Sequence, residues 1–196
     1  CWLEVDLDAI LENYRAARAL VGEGATVIPV LKADAYGMGA AEVGRLLARE
    51  GARLFAVATG DEAERLMRAL PEDAKVLLMG LAGRGQMARL IRAGMPLTLF
   101  SERQGLAIVE AAREAGQTAE VHVKVDTGLH RLGLEPETAA DHVAQILQTG
   151  AVRVAGLYTH LGIHTAEMDR VQTAKLRRVR EALLARGIDV PLTHAV

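Results

Sequence analysis

The sequence predicts an α/β fold in which parallel strands alternate with helices. Short apolar runs recur along the chain, and each is followed by a longer segment with apolar residues at helical spacing. The composition, 51% hydrophobic and 24% charged, is that of a globular protein with a substantial core. Strands joined by helices run parallel, with right-handed crossovers. Two architectures fit this pattern: an open doubly wound sheet and an eight-stranded βα barrel.

The pattern predicts an opening helix and then seven strands separated by six helices. Asp8 is expected to cap the opening helix, which has Ile10, Tyr14 and Ala17 on one face. The strands are expected at residues 27–31, 54–58, 75–79, 96–100, 119–125, 152–158 and 191–196. The next helix is expected at residues 40–50, and a further helix begins after a capping box of Asp61 and Glu64. The remaining helices are expected at residues 85–93, 102–115, 136–149 and 167–186. A capping box of Ser101 and Gln104 begins the second of these four, and Pro136 opens the third.

A complete βα barrel would need one more strand and typically has ~250 residues, whereas this chain has 196. No linker rich in proline, glycine or serine interrupts the alternation, so we expect residues 1–196 to form one domain. The chain starts at Cys1 rather than at a methionine, and it ends on the apolar, β-prone segment Thr-His-Ala-Val. We therefore interpret the sequence as one domain cut short after about seven strands, and as part of a longer protein.

Charge and composition argue against several classes of partner. The formal net charge of -2 gives no basic surface for nucleic acid or an anionic membrane. The single cysteine, Cys1, cannot form a disulfide within the chain, and no run approaches the ~20 apolar residues of a membrane span. The first residues do not resemble a signal peptide. We expect a cytoplasmic protein that acts on a small molecule.

Long polar side chains follow several predicted strands, at the end where both architectures place active sites. Lys32 follows the first strand, Lys124 lies at the end of the fifth with Arg131 beyond it, and His160 follows the sixth. A lysine directly after an apolar strand either extends its amine to solvent, pairs with Asp34, or has a chemical role. A partly desolvated amine can attack a carbonyl carbon and form a Schiff base. Arg131 and His160 would each be ordinary alone, and their matching positions favour a shared site.

Other chemistries receive less support. His160 and His164 are four residues apart, but the intervening glycine and the lack of a nearby carboxylate argue against a metal site, so no metal is predicted. The glycine-rich dinucleotide motif is absent after the first strand, and Ser101 is better explained as a helix cap than as a nucleophile. Gly128 and Gly133 flank Arg131 and suit a tight turn with a close backbone approach.

Four segments together resemble the alanine racemase family. Residues 30–39, Val-Leu-Lys-Ala-Asp-Ala-Tyr-Gly-Met-Gly, resemble its cofactor-lysine motif. Residues 124–133, Lys-Val-Asp-Thr-Gly-Leu-His-Arg-Leu-Gly, resemble its Lys-x-Asp-Thr-Gly-x-x-Arg-Leu-Gly signature. Residues 156–160, Gly-Leu-Tyr-Thr-His, resemble the following barrel strand, and residues 2–10 resemble the family's start. The resemblance runs through the whole chain in order.

The resemblance implies a (β/α)8 TIM-like barrel that carries pyridoxal 5'-phosphate (PLP), without the family's C-terminal β-domain. It implies racemisation of L-alanine and D-alanine, with the α-proton removed and returned on opposite faces of the aldimine, and a place in D-alanine biosynthesis. Lys32 would bind PLP covalently and move the α-proton, and Tyr36 would hydrogen-bond the cofactor phosphate. Arg131 would lie near the cofactor's phenolic oxygen and the substrate carboxylate, and His160 on the pyridine side. Lys124 matches a position that is carbamylated in many family members.

The family's second base is a tyrosine from the C-terminal domain of a partner subunit. The resemblance therefore implies a homodimer and predicts that these 196 residues alone are poorly active. Two alternatives remain open from the sequence. One is a related PLP barrel enzyme, such as another amino-acid racemase, a decarboxylase or an aldolase, and the other is a non-catalytic PLP-binding barrel.

Overall fold

A computed structural model describes residues 2–162 and 165–196 of the chain. Cys1 and His164, both discussed above, lie outside the described residues. The chain divides into two compact units, Cys1–Ala82 and Gly83–Val196. Among the described residues, no helix combines the length and the apolar character that crossing a membrane would need.

Over its described residues, the first unit contains four helical segments and two parallel strands. The helical segments are α1 (Leu7–Val21), α2 (Lys32–Tyr36), α3 (Ala40–Arg49) and α4 (Gly60–Met67), and the strands are β1 (Leu54–Val57) and β2 (Lys75–Leu78). Leu54 pairs with Lys75 and Val57 with Leu78 at the two ends of the ladder. Both strands bury every side chain after their first residue, as strands covered on both faces do.

The prediction of a strand at residues 27–31 is wrong. The segment forms only an isolated parallel bridge, between Val30 and Ala56. Two backbone hydrogen bonds remain, from Ala56 N–H to the Pro29 carbonyl at 2.9 Å and from Leu31 N–H to the Ala56 carbonyl at 2.8 Å. Pro29 has no N–H group to extend this ladder. The segment therefore approaches β1 for only a few residues before Lys32.

Two helix caps lie two residues earlier than predicted. Asp6, not Asp8, caps α1 by accepting hydrogen bonds from two backbone N–H groups of the first turn. Thr59 and Glu62, not Asp61 and Glu64, form the capping box of α4. The two candidate pairs at α4 have the same spacing and the same chemistry, so the sequence alone does not distinguish them.

The part of the second unit that the structure describes contains four helices and four parallel strands in sequence order. The helices are α5 (Arg84–Arg92), α6 (Glu102–Ala115), α7 (Ala139–Leu147) and α8 (Ala166–Ala185), and the strands are β3 (Leu97–Leu99), β4 (Ala119–Lys124), β5 (Val152–Thr159) and β6 (Thr193–Ala195). Each of these strands pairs in parallel with the next along the chain. The apolar side chains of α6 and α8 that face the strands, such as Ile108 and Leu183, are fully buried.

The prediction of an α/β fold with parallel strands is confirmed, with six strands in the described residues where seven were expected. Ser101 caps α6 as expected, since its hydroxyl accepts a hydrogen bond from Gln104 N–H. The side chain of Gln104 does not complete the predicted box, because it accepts from Phe100 N–H instead. Helix α7 begins at Ala139 rather than at 136, since residues 136–138 form a turn.

Candidate functional site

Lys32 begins a left-handed helical turn. The four residues that follow it, Ala33 to Tyr36, all have φ between 51° and 57°. Non-glycine residues adopt this conformation at a cost of about 1–2 kcal/mol each, so four in succession need strong support from their surroundings. The turn sets the direction in which the Lys32 side chain leaves the backbone.

Carboxylates bind the backbone at both ends of this turn. Glu62 accepts a 2.7 Å hydrogen bond from Ala33 N–H, and Asp34 accepts a 2.7 Å hydrogen bond from Ala40 N–H, where α3 begins. Within the turn, Gly37 N–H donates to the Ala33 carbonyl at 2.9 Å. Ala35 is the buried residue of this turn.

Lys32 and Tyr36 lie close together at the two ends of the turn. The Lys32 Nζ atom is 5.7 Å from the centre of the Tyr36 ring, within the range of a cation–π contact. Lys32 is half-buried, whereas Tyr36 is 61% exposed. A primary amine and a phenol hydroxyl suit a ligand with an aldehyde and a phosphate, since the amine can bond the carbonyl carbon and the hydroxyl can donate to a phosphate oxygen.

In the second unit, polar side chains cluster on adjacent strands. Lys124 is opposite Tyr158, and Tyr158 is opposite His194. Two residues before Lys124 on β4, His122 is opposite Thr98. We call these five residues the polar cluster. Four of them are buried, and Lys124 is only 5% exposed even though it carries an amine.

Tyr158 lies at the centre of the polar cluster. Its ring stacks on the His194 ring with centroids 4.6 Å apart, and its hydroxyl is 3.1 Å from the Thr98 hydroxyl. The Lys124 Nζ atom lies 5.8 Å from the Tyr158 ring centre. Burial raises the pKa of Tyr158 to about 12, against the opposing effects of the Thr98 hydrogen bond and the Arg131 charge. Tyr158 therefore stays protonated near neutral pH.

His122 and His194 form a hydrogen-bonded pair, with the His122 Nδ1 and His194 Nε2 atoms 2.8 Å apart. Burial, together with the neighbouring His122, lowers the pKa of His194 to about 3. A bulge in the pairing of β4 with β5 places Gly156 opposite His122. A Cβ atom on Gly156 would lie 2.6 Å from His122 Nδ1, so the missing side chain leaves the space through which the two imidazoles meet.

Arg131 lies on a loop that leaves β4 and returns to it. The loop closes through a parallel bridge between Val125 and Leu134, with Leu134 N–H donating to the Lys124 carbonyl at 2.8 Å. Asp126 accepts hydrogen bonds from the backbone N–H groups of Gly128 and His130, both at 3.0 Å. Although burial raises the pKa of Asp126, these bonds lower it more.

The close backbone approach predicted for this loop is present at Gly133. A Cβ atom there would lie 2.4 Å from the Asp126 backbone nitrogen, and φ of Gly133 is 151°. Gly128 also has a positive φ, of 148°, although a Cβ atom there would meet only ordinary contacts. Arg131 itself is exposed.

His160 follows the last residue of β5 and is half-buried. The hydroxyl of the preceding Thr159 bonds the Thr127 hydroxyl at 2.7 Å and donates to the Val125 carbonyl at 2.9 Å. These bonds join the ends of β4 and β5. The structure thus places Lys124, Arg131 and His160 at or beyond the carboxyl ends of neighbouring strands.

The sequence reasoning missed the His122–His194 pair, Asp126 and Glu62. One signal was available for the first, because Glu120, His122 and Lys124 are polar residues at alternate positions of β4 and so point to the same face of the sheet. The Asp126 and Glu62 contacts are to backbone groups, for which the sequence carries no comparable pattern.

Comparison with known proteins agrees with this description. The family profile for "Alanine racemase, N-terminal domain" matches residues 5–196. An alanine racemase of Clostridium perfringens is 35% identical over 99% of this chain and 51% of its own length. The solved alanine racemase of Streptomyces coelicolor has a TM-score of 0.90 and 29% identity, covering 98% of this chain and 52% of its own. That of Clostridium difficile in complex with cycloserine has a TM-score of 0.85 and 28% identity, covering 96% and 52%.

The chain thus spans about half the length of the relatives that it matches. The fold similarity favours the barrel over the open doubly wound sheet, because both solved relatives are alanine racemases and cover almost all of this chain. The family profile, the relatives and the solved structures agree, and the chain belongs to the alanine racemase family, whose N-terminal domain it matches.

Proposed function

We propose that this chain is the PLP-binding part of an enzyme that racemises alanine, with Lys32 as the cofactor lysine. The observation that carries the proposal is the left-handed turn after Lys32, because costly backbone geometry held in place by contacts such as the Glu62 hydrogen bond is typical of functional sites. Membership of the alanine racemase family supports the choice of substrate.

Two residues of the first unit would hold the cofactor. The Lys32 amine would hold PLP through its aldehyde carbon, and the nearby Tyr36 hydroxyl, on a largely exposed side chain, would donate to the phosphate. When bound, PLP stabilises negative charge at the substrate's α-carbon. On its own face of the substrate, the Lys32 Nζ atom would accept the α-proton and return it.

Three residues of the second unit would contribute charge and orientation. The planar guanidinium of Arg131 suits a carboxylate, which it can bind through two parallel hydrogen bonds. Lys124 would carry a carbamate, as the matching position does in many family members, and the carbamate would give Arg131 an anion to pair with. His160 would hydrogen-bond on the pyridine side of the cofactor.

The substrate would be an amino acid of small size, and the active form a homodimer. The Clostridium difficile relative is solved in complex with cycloserine, which supports a site for a small amino-acid-like ligand. Racemisation needs a proton donor or acceptor on each face of the α-carbon. With Lys32 on one face, the second group would come from a partner subunit, which is the reason for proposing a dimer.

The test is alanine racemisation by the longer protein that contains these residues, supplied with PLP. We expect interconversion of L-alanine and D-alanine, and a loss on the order of 10³-fold or more for Lys32→Arg, which keeps the charge but removes the attacking amine. Lys175→Arg, on helix α8, is the matched control and should retain the wild-type rate. Full activity in Lys32→Arg, or carbon dioxide release in place of racemisation, would contradict the proposal.

A further inference from the structure

Glu62 makes more hydrogen bonds than its helix cap requires. In the capping box of α4, the Glu62 Oε2 atom accepts from Thr59 N–H at 3.0 Å, and it also accepts from Ala58 N–H at 2.9 Å. These bonds satisfy the cap. The second carboxylate oxygen, Oε1, instead reaches Ala33, 29 residues away in sequence, and accepts its N–H at 2.7 Å.

A hydrogen bond to the Ala33 N–H group acts directly next to Lys32. Ala33 follows Lys32 directly and is the first residue with left-handed backbone geometry, at φ 51° and ψ 45°. Its N–H group belongs to the peptide bond that joins it to Lys32. A hydrogen bond to that group fixes the peptide plane at which the chain changes hand, and therefore the direction of the Lys32 Cα–Cβ bond.

The state of the carboxylate agrees with this geometry. Burial raises the pKa of Glu62, but hydrogen bonds from the backbone N–H groups of Ala33, Thr59 and Ala58 lower it more. Glu62 is therefore an anion near neutral pH and accepts all three bonds at once. A glutamine has a single acceptor oxygen, so it could serve Ala33 or the cap of α4 but not both.

We propose that Glu62 is a positioning residue that aims the Lys32 amine by anchoring the Ala33 peptide. This inference rests on the proposed function, because it assumes that Lys32 bonds the cofactor aldehyde. It assigns to one carboxylate two tasks, the cap of α4 and the direction of the reactive lysine. Glu62 acts through the backbone and has no contact with the reacting atoms.

The test compares Glu62→Gln with Thr59→Ala in the longer protein that contains these residues. Thr59→Ala is the matched control, because it removes the hydroxyl that caps Glu62 N–H, at 3.3 Å, and leaves the carboxylate in place. Each protein is treated with PLP and then borohydride, and the rate of pyridoxyl labelling at Lys32 is measured by peptide mass mapping, with Lys175 as the internal reference. Hydrogen exchange of the Ala33 amide is measured in parallel.

We expect Glu62→Gln to slow labelling of Lys32 at least tenfold relative to Lys175 and to speed exchange of the Ala33 amide, while Thr59→Ala changes the labelling ratio less than twofold. If Glu62→Gln does not fold, Glu62→Asp replaces it, since it keeps the charge but is one methylene too short to serve both ends. Unchanged labelling in a folded Glu62 variant whose Ala33 amide exchanges faster would overturn the inference. Absence of label at Lys32 in the wild-type chain would instead overturn the proposed function.

Discussion

The two units position their polar residues by different means. In the first unit, the Lys32 turn is held by hydrogen bonds between carboxylates and backbone N–H groups, and its side chains are largely exposed. In the second unit, buried side chains of adjacent strands hold one another, as in the contacts of Tyr158 with His194 and Thr98. Backbone geometry therefore fixes the Lys32 turn, whereas side-chain packing fixes the polar cluster. Substitutions should therefore change stability mainly through backbone conformation in the first unit and mainly through side-chain packing in the second.

The largest expected effect is that of Gly156→Ala in the second unit. The added Cβ atom would lie 2.6 Å from His122 Nδ1 and would force the two imidazoles apart, leaving buried nitrogen atoms without partners. We expect the free energy of unfolding to fall by about 3 kcal/mol, measured by denaturant titration.

Gly85→Ala in helix α5 is the control for this substitution. An added Cβ atom at Gly85 meets nothing within 4 Å, and alanine favours a helix over glycine by up to about 1 kcal/mol. Equal effects of the two substitutions would show that His122 and His194 do not depend on the space left by Gly156.

A pH effect of intermediate size is expected from His194. In the unfolded chain this histidine takes up a proton below its ordinary pKa of 6.5, whereas in the folded chain it does so only near 3. The unfolded state thus binds more protons between these values, and stability falls as the pH is lowered from 6.5 towards 3. At pH 5, His194 should lower the free energy of unfolding by about 2 kcal/mol relative to its value well above pH 6.5.

The measurement is the pH dependence of unfolding in the wild type and in His194→Phe, which keeps an aromatic ring against Tyr158 but does not titrate. We expect a flatter profile between pH 5 and pH 6.5 (roughly the window in which the unfolded histidine titrates) in His194→Phe. The exposed His130, at φ 56°, serves as control through His130→Asn, because asparagine tolerates a positive φ. Identical profiles for wild type and His194→Phe would mean that His194 titrates normally.

The smallest expected effect concerns the turn of the first unit and has the opposite sign. Ala33→Gly should leave the protein as stable as the wild type or more stable by up to about 1 kcal/mol, because glycine adopts the left-handed conformation without steric cost. Ala174→Gly, in the middle of the right-handed helix α8, should instead destabilise by about 1 kcal/mol. Destabilisation of equal size at both positions would argue against left-handed geometry at Ala33.

Patterns of apolar residues were enough to predict most of the fold. Strands β1 to β5 lie within or close to their predicted ranges, because each is an apolar run bounded by helical segments. The pattern failed at residues 27–31, where Pro29 interrupts a run of apolar residues that otherwise resembles a strand. Residues 33–36 could not be predicted as a left-handed turn, since none of them is glycine.

The candidate residues were found by their position after strands and by resemblance to motifs, and their environments were not. Lys124 is buried and Tyr36 exposed, and neither follows from the sequence around them. The His122–His194 contact joins residues 72 positions apart through a bulge and a glycine. The roles proposed for Lys32, Arg131 and His160 stay predictions until chemistry tests them.

The most direct test of the central claim is covalent trapping of PLP on this protein. An absorbance spectrum is recorded with PLP before and after borohydride, and the labelled peptide is identified by mass. We predict a near-visible absorbance band that borohydride removes, and a pyridoxyl group on the peptide that contains Lys32. A label on Lys75, Lys124 or Lys175 with none on Lys32 would contradict the claim that Lys32 is the cofactor lysine.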